Sequence, residues 1–255
     1  MSTAERGTTP PPRSTLATFF LAVLDDVTAA LEVQVVRAPH RARAVGTIVV
    51  AGVVSWWIYV PIHELLHALG CALSGGTVSE LQIAPEYGGA LLACVLPFVV
   101  SGGDYAGRLS GFDTHGSDLV YLATDALPFA LSIFPGVALL KRCAARGHPL
   151  RFGVGFVLAL APFYSLLGDY YEMGSVLATR AATLATGSGD LVFKTLRADD
   201  LAKLVGTLWS QPEELQLHDA TRITAAAVLI VVGFAVGLLL ACATYAAGAR
   251  LARRA

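Results

Sequence analysis

The hydrophobic positions of this chain are gathered into long runs, which polar or basic segments separate. Four of the runs approach or exceed the length of about 20 apolar residues at which an α-helix crosses a bilayer. They are Ala44 to Leu73, Leu119 to Leu140, Phe152 to Leu167, and Ile223 to Ala247. The pattern predicts an all-α polytopic membrane protein with about four transmembrane helices. The last of these helices and a basic tail make up residues 223–255.

The N-terminal region shows two different patterns. Residues 1–15 are polar and include Pro10-Pro11-Pro12, which predicts disorder. Residues 16–43 are more apolar but contain Asp25, Asp26 and Glu32. Apolar side chains recur there at helical spacing, at Leu16, Phe20, Val23, Val27 and Leu31. This spacing predicts an amphipathic helix that lies either on the membrane surface or against the core.

A short apolar run between the first two spans predicts β-structure. Gly89 to Val100 has only about 12 residues and is too short to cross a bilayer as a helix. Polar and apolar residues alternate over Ser79 to Ile83, turn residues follow over Pro85 to Gly89, and Ala90 to Val95 supplies a return strand. We therefore predict a re-entrant β-hairpin over residues 77–95, within a membrane core of residues 44–170.

Residues 171–222 are more polar, and we expect them to form a helical segment outside the membrane. Two stretches with acidic starts, Asp190 to Lys194 and Asp199 to Trp209, are typical of amphipathic helices. Basic residues cluster at the ends of the spans, and such clusters favour the cytoplasmic side. Four crossings place all three clusters in the cytoplasm and residues 171–222 outside. The clusters are Arg37, Arg41 and Arg43; Lys141, Arg142, Arg146 and Arg151; and Arg250, Arg253 and Arg254.

Composition agrees with a membrane location. Of the 255 residues, 55% are hydrophobic and 15% are charged, and the mean hydropathy of +0.62 exceeds that of an ordinary soluble domain. The formal net charge of −1 argues against a nucleic-acid partner. The four cysteines form no C-x-x-C pair, so we interpret them as small apolar residues of helices.

The strongest chemical signal is His63-Glu64-Leu65-Leu66-His67, at the end of the first apolar run. On a helix, this spacing puts both imidazoles on one face, where they can bind one Zn²⁺. Glu64 can then serve as the general base that activates a water molecule. Because polar groups are costly within a membrane, their presence in this run favours a functional role.

A catalytic zinc typically has a third protein ligand, and Asp169 is the best candidate. The helical rise from Ala44 to His63 is about 28 Å and that from Phe152 to Asp169 is about 26 Å. Two parallel segments would therefore bring the ligands to matching depths. Glu172, one turn further on, is a reserve ligand or a neighbour that supports one. Asp125 is a third choice, as a ligand, a hydrogen-bond partner of a ligating histidine, or part of a water path.

The remaining side chains of these types receive less specific interpretations. Trp56, Trp57 and Tyr59 lie within the first span and are most simply packing residues. The other histidines fall in loops or at membrane edges, where solvated side chains are the common case. They are His40, His115, His148 and His218.

The chain resembles the site-2 protease family of intramembrane zinc metalloproteases, and its compact bacterial branch in particular. The similarity lies in His63-Glu-Leu-Leu-His-Ala-Leu, in Ser74-Gly75-Gly76-Thr77-Val78 and in Gly88-Gly89. It implies a three-helix core with a membrane-embedded β element. It also implies that His63, His67 and Asp169 are zinc ligands and that Glu64 is the base. The aspartate segment departs from the family pattern N-x-x-P-x-x-x-L-D-G, because Pro162 precedes Asp169 by seven residues and Tyr170 replaces the glycine.

These observations favour zinc-dependent peptide-bond hydrolysis within or beside a membrane. The expected substrate is a membrane protein, and the expected location is a bacterial inner membrane. The residues themselves identify no substrate-binding position and no oligomeric state. The alternative is a non-proteolytic membrane protein that keeps zinc for structure, sensing or transport. A fourth protein ligand, from Asp125 or Glu172, would favour that alternative.

Overall fold

Four helical segments are long and apolar enough to cross a membrane, and they agree with the four predicted spans. The protein is seen here in a computed structural model, which describes residues 15–103, 105–187, 196, 200–215 and 217–254. The four segments are Arg41–Ser74, Asp118–Cys143, Pro149–Leu167 and Ala220–Ala252. The expectation of a mostly helical chain with four helices that could span a membrane is thus confirmed, and a small β-sheet accompanies the helices.

The N-terminal helix α1 (Thr15–Leu31) packs against the bundle, in agreement with the second of its two expected positions. Val23 and Ala30 are buried with Val137, Leu140 and Tyr245 in one apolar cluster. The Lys141 ammonium binds Asp26 at 2.7 Å, and the Tyr245 hydroxyl donates to the same carboxylate at 3.0 Å. A π-helical turn, Glu32–Val36, then leads to helix α2 (Arg41–Ser74). Disorder was predicted for residues 1–15; residues 1–14 lie outside the described part of the chain, and Thr15 is the first residue of α1.

The predicted hairpin over residues 77–95 is wrong in its second half. Strand β1 (Thr77–Ile83) and the following turn form as expected, but Gly89–Ala93 is a short helix, α3. The sheet has the order β2–β1–β3 instead. Here β2 (Val99–Ser101) is parallel to β1, and β3 (Gly107–Asp113) is antiparallel to it.

Side-chain type explains this difference. The expected return strand, Ala90 to Val95, begins with Ala90-Leu-Leu-Ala, which are strong helix formers, and its only β-branched residue is its last, Val95. The β-branched pair Val99-Val100, by contrast, forms part of β2. Leu81 and Ile83 of β1 are fully buried in a cluster that includes Ala68 of α2. This packing fixes the sheet beside the part of α2 that carries the histidines.

The second and third spans are interrupted helices. The second consists of α4 (Asp118–Ala126), a 3₁₀ turn, a π-helical turn and α5 (Val137–Cys143). Its irregular middle contains Pro128 and Pro135, whose nitrogens cannot donate helical hydrogen bonds. The third consists of α6 (Pro149–Tyr164) and a 3₁₀ turn over Ser165–Leu167.

Helix α7 (Asp169–Thr186) packs against α9 (Ala220–Ala252), the last span. Their closest approach is at glycines, because a Cβ on Gly174 would collide with the backbone of Gly233, and one on Gly237 with the carbonyl oxygen of Tyr170. The segment that we expected outside the membrane therefore begins beside the middle of a candidate span. Between these helices, α8 (Leu201–Ser210) forms with Asp200 as its N-cap, as the acidic start predicts. The other predicted helix, Asp190 to Lys194, lies outside the described residues.

Candidate metal centre

Helix α2 carries two histidines on one face, as the spacing predicts. His63 and His67 are 8% and 6% exposed, and their ring centroids lie 4.6 Å apart. Their Nε2 atoms approach each other to 3.0 Å. Two buried imidazoles therefore present their Nε2 atoms to one point inside the bundle.

Asp169 meets the two histidines at this point. Its Oδ2 lies 3.2 Å from Nε2 of His63, and its Oδ1 lies 3.6 Å from Nε2 of His67. Asp169 is in the first turn of α7, directly after the break that ends α6. Gly153 of α6 lies against Ile48 and Ala51 of α2. Helices α2 and α6 therefore start at the same end of the bundle, and they bring His63 and Asp169 to the same depth.

The donor set fits a metal ion. Two ligand atoms about 2.0–2.1 Å from one Zn²⁺ can be at most about 4 Å apart. The pairs described above, at 3.0, 3.2 and 3.6 Å, satisfy this limit. Among the described residues, His63, His67 and Asp169 form a group that can hold a metal ion. Imidazole and carboxylate are ligands that several divalent ions accept, so the donor set alone does not choose zinc.

Neighbouring groups hold both imidazoles through their other nitrogen. Nδ1 of His67 donates to the backbone oxygen of Thr124 at 2.9 Å. Because that oxygen can only accept, the hydrogen of His67 lies on Nδ1 and its Nε2 keeps a free lone pair. A 2.7 Å hydrogen bond joins Nδ1 of His63 to the Tyr59 hydroxyl. Such partners orient metal-binding histidines and are typical of metal sites.

Tyr59 is the functional neighbour that our reading of the sequence missed. We expected it to be a packing residue, and its ring does pack near His63 with a centroid separation of 5.1 Å. Its position one helical turn before His63 is the signal that could have revealed the contact. Thr124 acts through its backbone, so its side-chain type gave no signal.

Glu64 lies between the histidines in sequence and next to the sheet in space. It is partly buried and close enough to His67 and Asp169 to interact with them electrostatically. A Cβ on Gly107 would collide with Cγ of Glu64, so the start of β3 passes directly over this side chain. A glycine is therefore required at position 107 for Glu64 to keep its place.

The two alternative acids stand outside the group of three. Glu172 accepts a 2.7 Å hydrogen bond from the Tyr121 hydroxyl. Asp125 is 5% exposed, and its Oδ2 is buried without a hydrogen-bond partner among the described residues. Asp125 directly follows Thr124, which binds His67. It is therefore a near neighbour of the centre, in agreement with a supporting position and not with a place in the group itself.

Aromatic side chains line one wall of the centre. Phe129 is buried against the His63 ring at a centroid distance of 5.5 Å and against Tyr170 at 4.4 Å. On the sheet, Ser110 and Gln82 donate hydrogen bonds of 2.8 Å to Glu80, which lowers the pKa of that carboxyl group. The aromatic pair thus forms an apolar wall of the centre, whereas Glu80 and its two donors lie on the face of the sheet opposite to Leu81 and Ile83.

Comparisons with known proteins give no match to this chain among protein-family models, curated proteins or solved structures.

Proposed function

We propose that this protein is a zinc-dependent endopeptidase that cleaves membrane proteins within or beside the bilayer. The observation that carries the proposal is the convergence of His63, His67 and Asp169 beside Glu64. The resemblance of the motif segment to site-2 proteases adds support, as do the four helices that can cross a membrane. Among membranes, a bacterial inner membrane is the location that this resemblance favours.

The number of ligands supports catalysis over a structural role. Structural zinc sites usually have four protein ligands, whereas catalytic sites have three and keep one position open. The described group has three members, and neither Asp125 nor Glu172 belongs to it. Zinc held in such a site would act as a Lewis acid, which polarises a carbonyl group and activates a water molecule.

Glu64 is placed to move the protons of the reaction. Its carboxylate accepts a proton from the attacking water and delivers it to the nitrogen of the leaving amine. Tyr59 and the Thr124 carbonyl keep the two imidazoles oriented during this exchange. Phe129 and Tyr170 shield the histidine side of the centre from bulk water.

Strand β3 offers a place for an unwound substrate segment. Among the described strands it pairs with β1 alone, and its first residue, Gly107, touches Glu64. An extended peptide that adds to the free edge of β3 would run close to the base.

Reconstituted protein tests the proposal directly. The chain and its Glu64→Gln variant are placed in liposomes with a panel of single-span membrane peptides, and products are identified by mass spectrometry. We expect cleavage by the wild type that a zinc chelator abolishes and added zinc restores. Removing a general base typically lowers the rate by about 10²–10⁴-fold.

Bound metal is measured on the same samples. Stoichiometric zinc with no cleavage of any peptide would favour the structural, sensory or transport alternative. Equal cleavage by the wild type and Glu64→Gln would contradict the assigned base.

A further inference from the structure

Two adjoining cavities lie between α2 and α6, at the end of the bundle where α2 begins. The first, of about 600 Å³, is lined by the π-helical turn, the start of α2 and the loop before α6. The second, of about 800 Å³, follows α2 from Arg43 to Ile62. Arg43, Thr47 and Leu150 line both, so the two cavities adjoin at these residues. Both volumes lie in the range of about 300–1,000 Å³ that is typical of ligand sites.

The first cavity is basic. Arg37, Arg43 and Arg151 line it together with His40 and His148, and no acidic residue does. Arg37 is engaged by Glu32 at 2.9 Å. The side chains of Arg43 and Arg151 have no ion pair within the described ranges of the chain. Two guanidinium groups are therefore available to an anion at a membrane edge.

The walls of this basic cavity are fixed in place. Gln34 is 1% exposed, and its Nε2 donates to the backbone oxygens of Cys143 and Arg146 at 2.7 and 3.2 Å. These bonds tie the turn before α2 to the end of α5. The cavity is consequently a formed site and not a gap between loose loops.

The second cavity is an apolar groove on the bundle surface. Val50, Val54 and Ile58 of α2 face Val154 and Leu158 of α6 across it. The rise of α2 from Arg43 to Ile62 is about 28 Å. One leaflet is about 15 Å deep, half of a hydrocarbon core of about 30 Å. The groove is thus long enough for an acyl chain.

We propose that these adjoining cavities bind an anionic phospholipid, with its phosphate at Arg43 and Arg151 and an acyl chain in the groove. Basic pockets between transmembrane helices are typical sites for anionic headgroups. An apolar segment of a protein substrate could use the groove, but it would leave the unpaired arginines without a role. The proposal does not depend on bound metal or on proteolysis, although Tyr59, the partner of His63, also lines the far end of the groove.

Lipid titration of the purified full chain in a neutral detergent tests the site. Native mass spectrometry counts bound dioleoyl phosphatidylglycerol, bound dioleoyl phosphatidylcholine and bound sn-glycerol 3-phosphate. We expect one tightly bound phosphatidylglycerol, weaker phosphatidylcholine and no retention of the soluble phosphate. Equal affinity for the two lipids would overturn the proposal. Retention of glycerol phosphate with the affinity of the lipid would reduce the site to a phosphate site.

Matched variants separate the two parts of the site. Arg43→Gln with Arg151→Gln should weaken phosphatidylglycerol binding about 30-fold, since each basic group contributes about a five- to sixfold effect. Arg253→Gln with Arg254→Gln makes the same charge change in the C-terminal tail and should have no effect. An equal loss in both pairs would show general surface attraction and would contradict the site. Arg43→Lys with Arg151→Lys should retain binding, which guards against misfolding of the glutamine pair.

The groove has its own pair of variants. Val54 lines the groove, whereas the neighbouring Val53 does not, and the two are 50% and 65% exposed. Val54→Trp should fill the groove and lower lipid affinity at least tenfold, and Val53→Trp should leave it unchanged. Equal affinities in these two variants would show that the acyl chain lies elsewhere. Loss of lipid only on addition of a membrane peptide would assign the groove to the protein substrate instead.

Discussion

At the scale of single residues, the two histidines of the centre depend on different neighbours. His67 is held by a backbone oxygen that no side-chain substitution removes, whereas His63 is held by the hydroxyl group of Tyr59. Substitution can therefore test the support of His63 alone. Variants of the ligands, of the base and of the neighbouring acids should differ from one another in how much metal they bind.

The histidines should determine metal content. We expect His63→Ala and His67→Ala each to lose nearly all bound zinc, because each removes one of the three donors. Glu64→Gln should keep the metal, since Glu64 is not a member of the group. Elemental analysis of the purified proteins measures both outcomes. Unchanged zinc in the histidine variants would eliminate the site.

The three acids should differ in their effect. Asp169→Asn should abolish tight metal binding and cleavage together, because its oxygens approach both Nε2 atoms. Asp125→Asn and Glu172→Gln should lower zinc affinity by about 10–100-fold or less, as losses of supporting groups do. Competition with a chelating dye measures the affinities. Full zinc in Asp169→Asn, with loss in either of the others, would show that the third ligand is misassigned.

Removal of the Tyr59 hydroxyl should loosen the metal without unfolding the protein. Tyr59→Phe keeps the ring but removes the 2.7 Å bond to His63, so we expect zinc affinity to fall about 10–100-fold. Tyr164→Phe is the control, because this ring is half exposed and contacts Trp56, not a histidine. Equal zinc affinity in both variants would show that His63 needs no support from Tyr59.

The contrast between ligands and supports also shows what the residue pattern could predict. His63, Glu64 and His67 follow from one helical turn, and Asp169 follows from the equal lengths of two parallel segments. The contacts of Tyr59, Thr124 and Gly107 depend on how helices and strands meet in space. Gly107 lies 43 positions after Glu64 in the sequence, and no local pattern joins them.

At the scale of elements, the close packing of α7 against α9 sets the position of Asp169. A Cβ on Gly237 would meet the carbonyl oxygen of Tyr170, the residue next to Asp169. Small residues let transmembrane helices approach this closely. The start of α7, and with it the carboxylate of the centre, is therefore positioned by a helix that contributes no member of the metal group.

Adding a methyl group where α7 and α9 touch should lower both the stability of the protein and its affinity for metal. Gly237→Ala should lower the free energy of unfolding by about 1–3 kcal/mol, because the helices must separate, and it should also reduce zinc affinity. Gly52→Ala is the matched control, since a Cβ there has open space around it and alanine favours a helix by about 1 kcal/mol. Thermal melting and zinc titration test the pair. A Gly237→Ala protein with unchanged Tm and affinity would contradict the role of this crossing.

Elements were predictable where one physical signal dominated. The four spans follow from apolar length, and β1 follows from alternation. The return strand was mispredicted because Ala90 to Val95 is apolar without a preference for strands, and β3 was missed although it pairs with β1. Its sequence, Gly107-Arg-Leu-Ser-Gly-Phe-Asp, has two glycines and little apolar character. Pairing with β1 supplies the stabilisation that its own residues do not.

At the scale of the whole molecule, contacts bring the three basic clusters to one end of the bundle. Arg43 and Arg151 line the same cavity. Lys141 and Tyr245 both bind Asp26, which places the end of α9 beside the end of α5. Helices α2 and α6 leave this end in parallel, and α9 returns to it. The arrangement agrees with four crossings and suits the rule that basic clusters stay in the cytoplasm.

This arrangement predicts which parts of the chain can be labelled from each side of a cell membrane. Arg146 lies in the loop between α5 and α6 with a basic cluster around it, and Gly187 ends α7. Helix α7 is antiparallel to α9, because Tyr170 lies against Gly237 whereas Gly174, one turn later, lies against Gly233. Since α9 runs towards the basic end, α7 runs from the metal centre away from that end. Gly187 should therefore lie on the side opposite to Arg146.

Single cysteines at the two positions provide the test, in a background in which Cys71, Cys94, Cys143 and Cys242 are replaced by alanine. An impermeant maleimide added to intact cells should label Gly187→Cys and spare Arg146→Cys until the membrane is opened. Labelling of both from the same side would refute the four-crossing arrangement, and the reverse pattern would place the basic clusters outside.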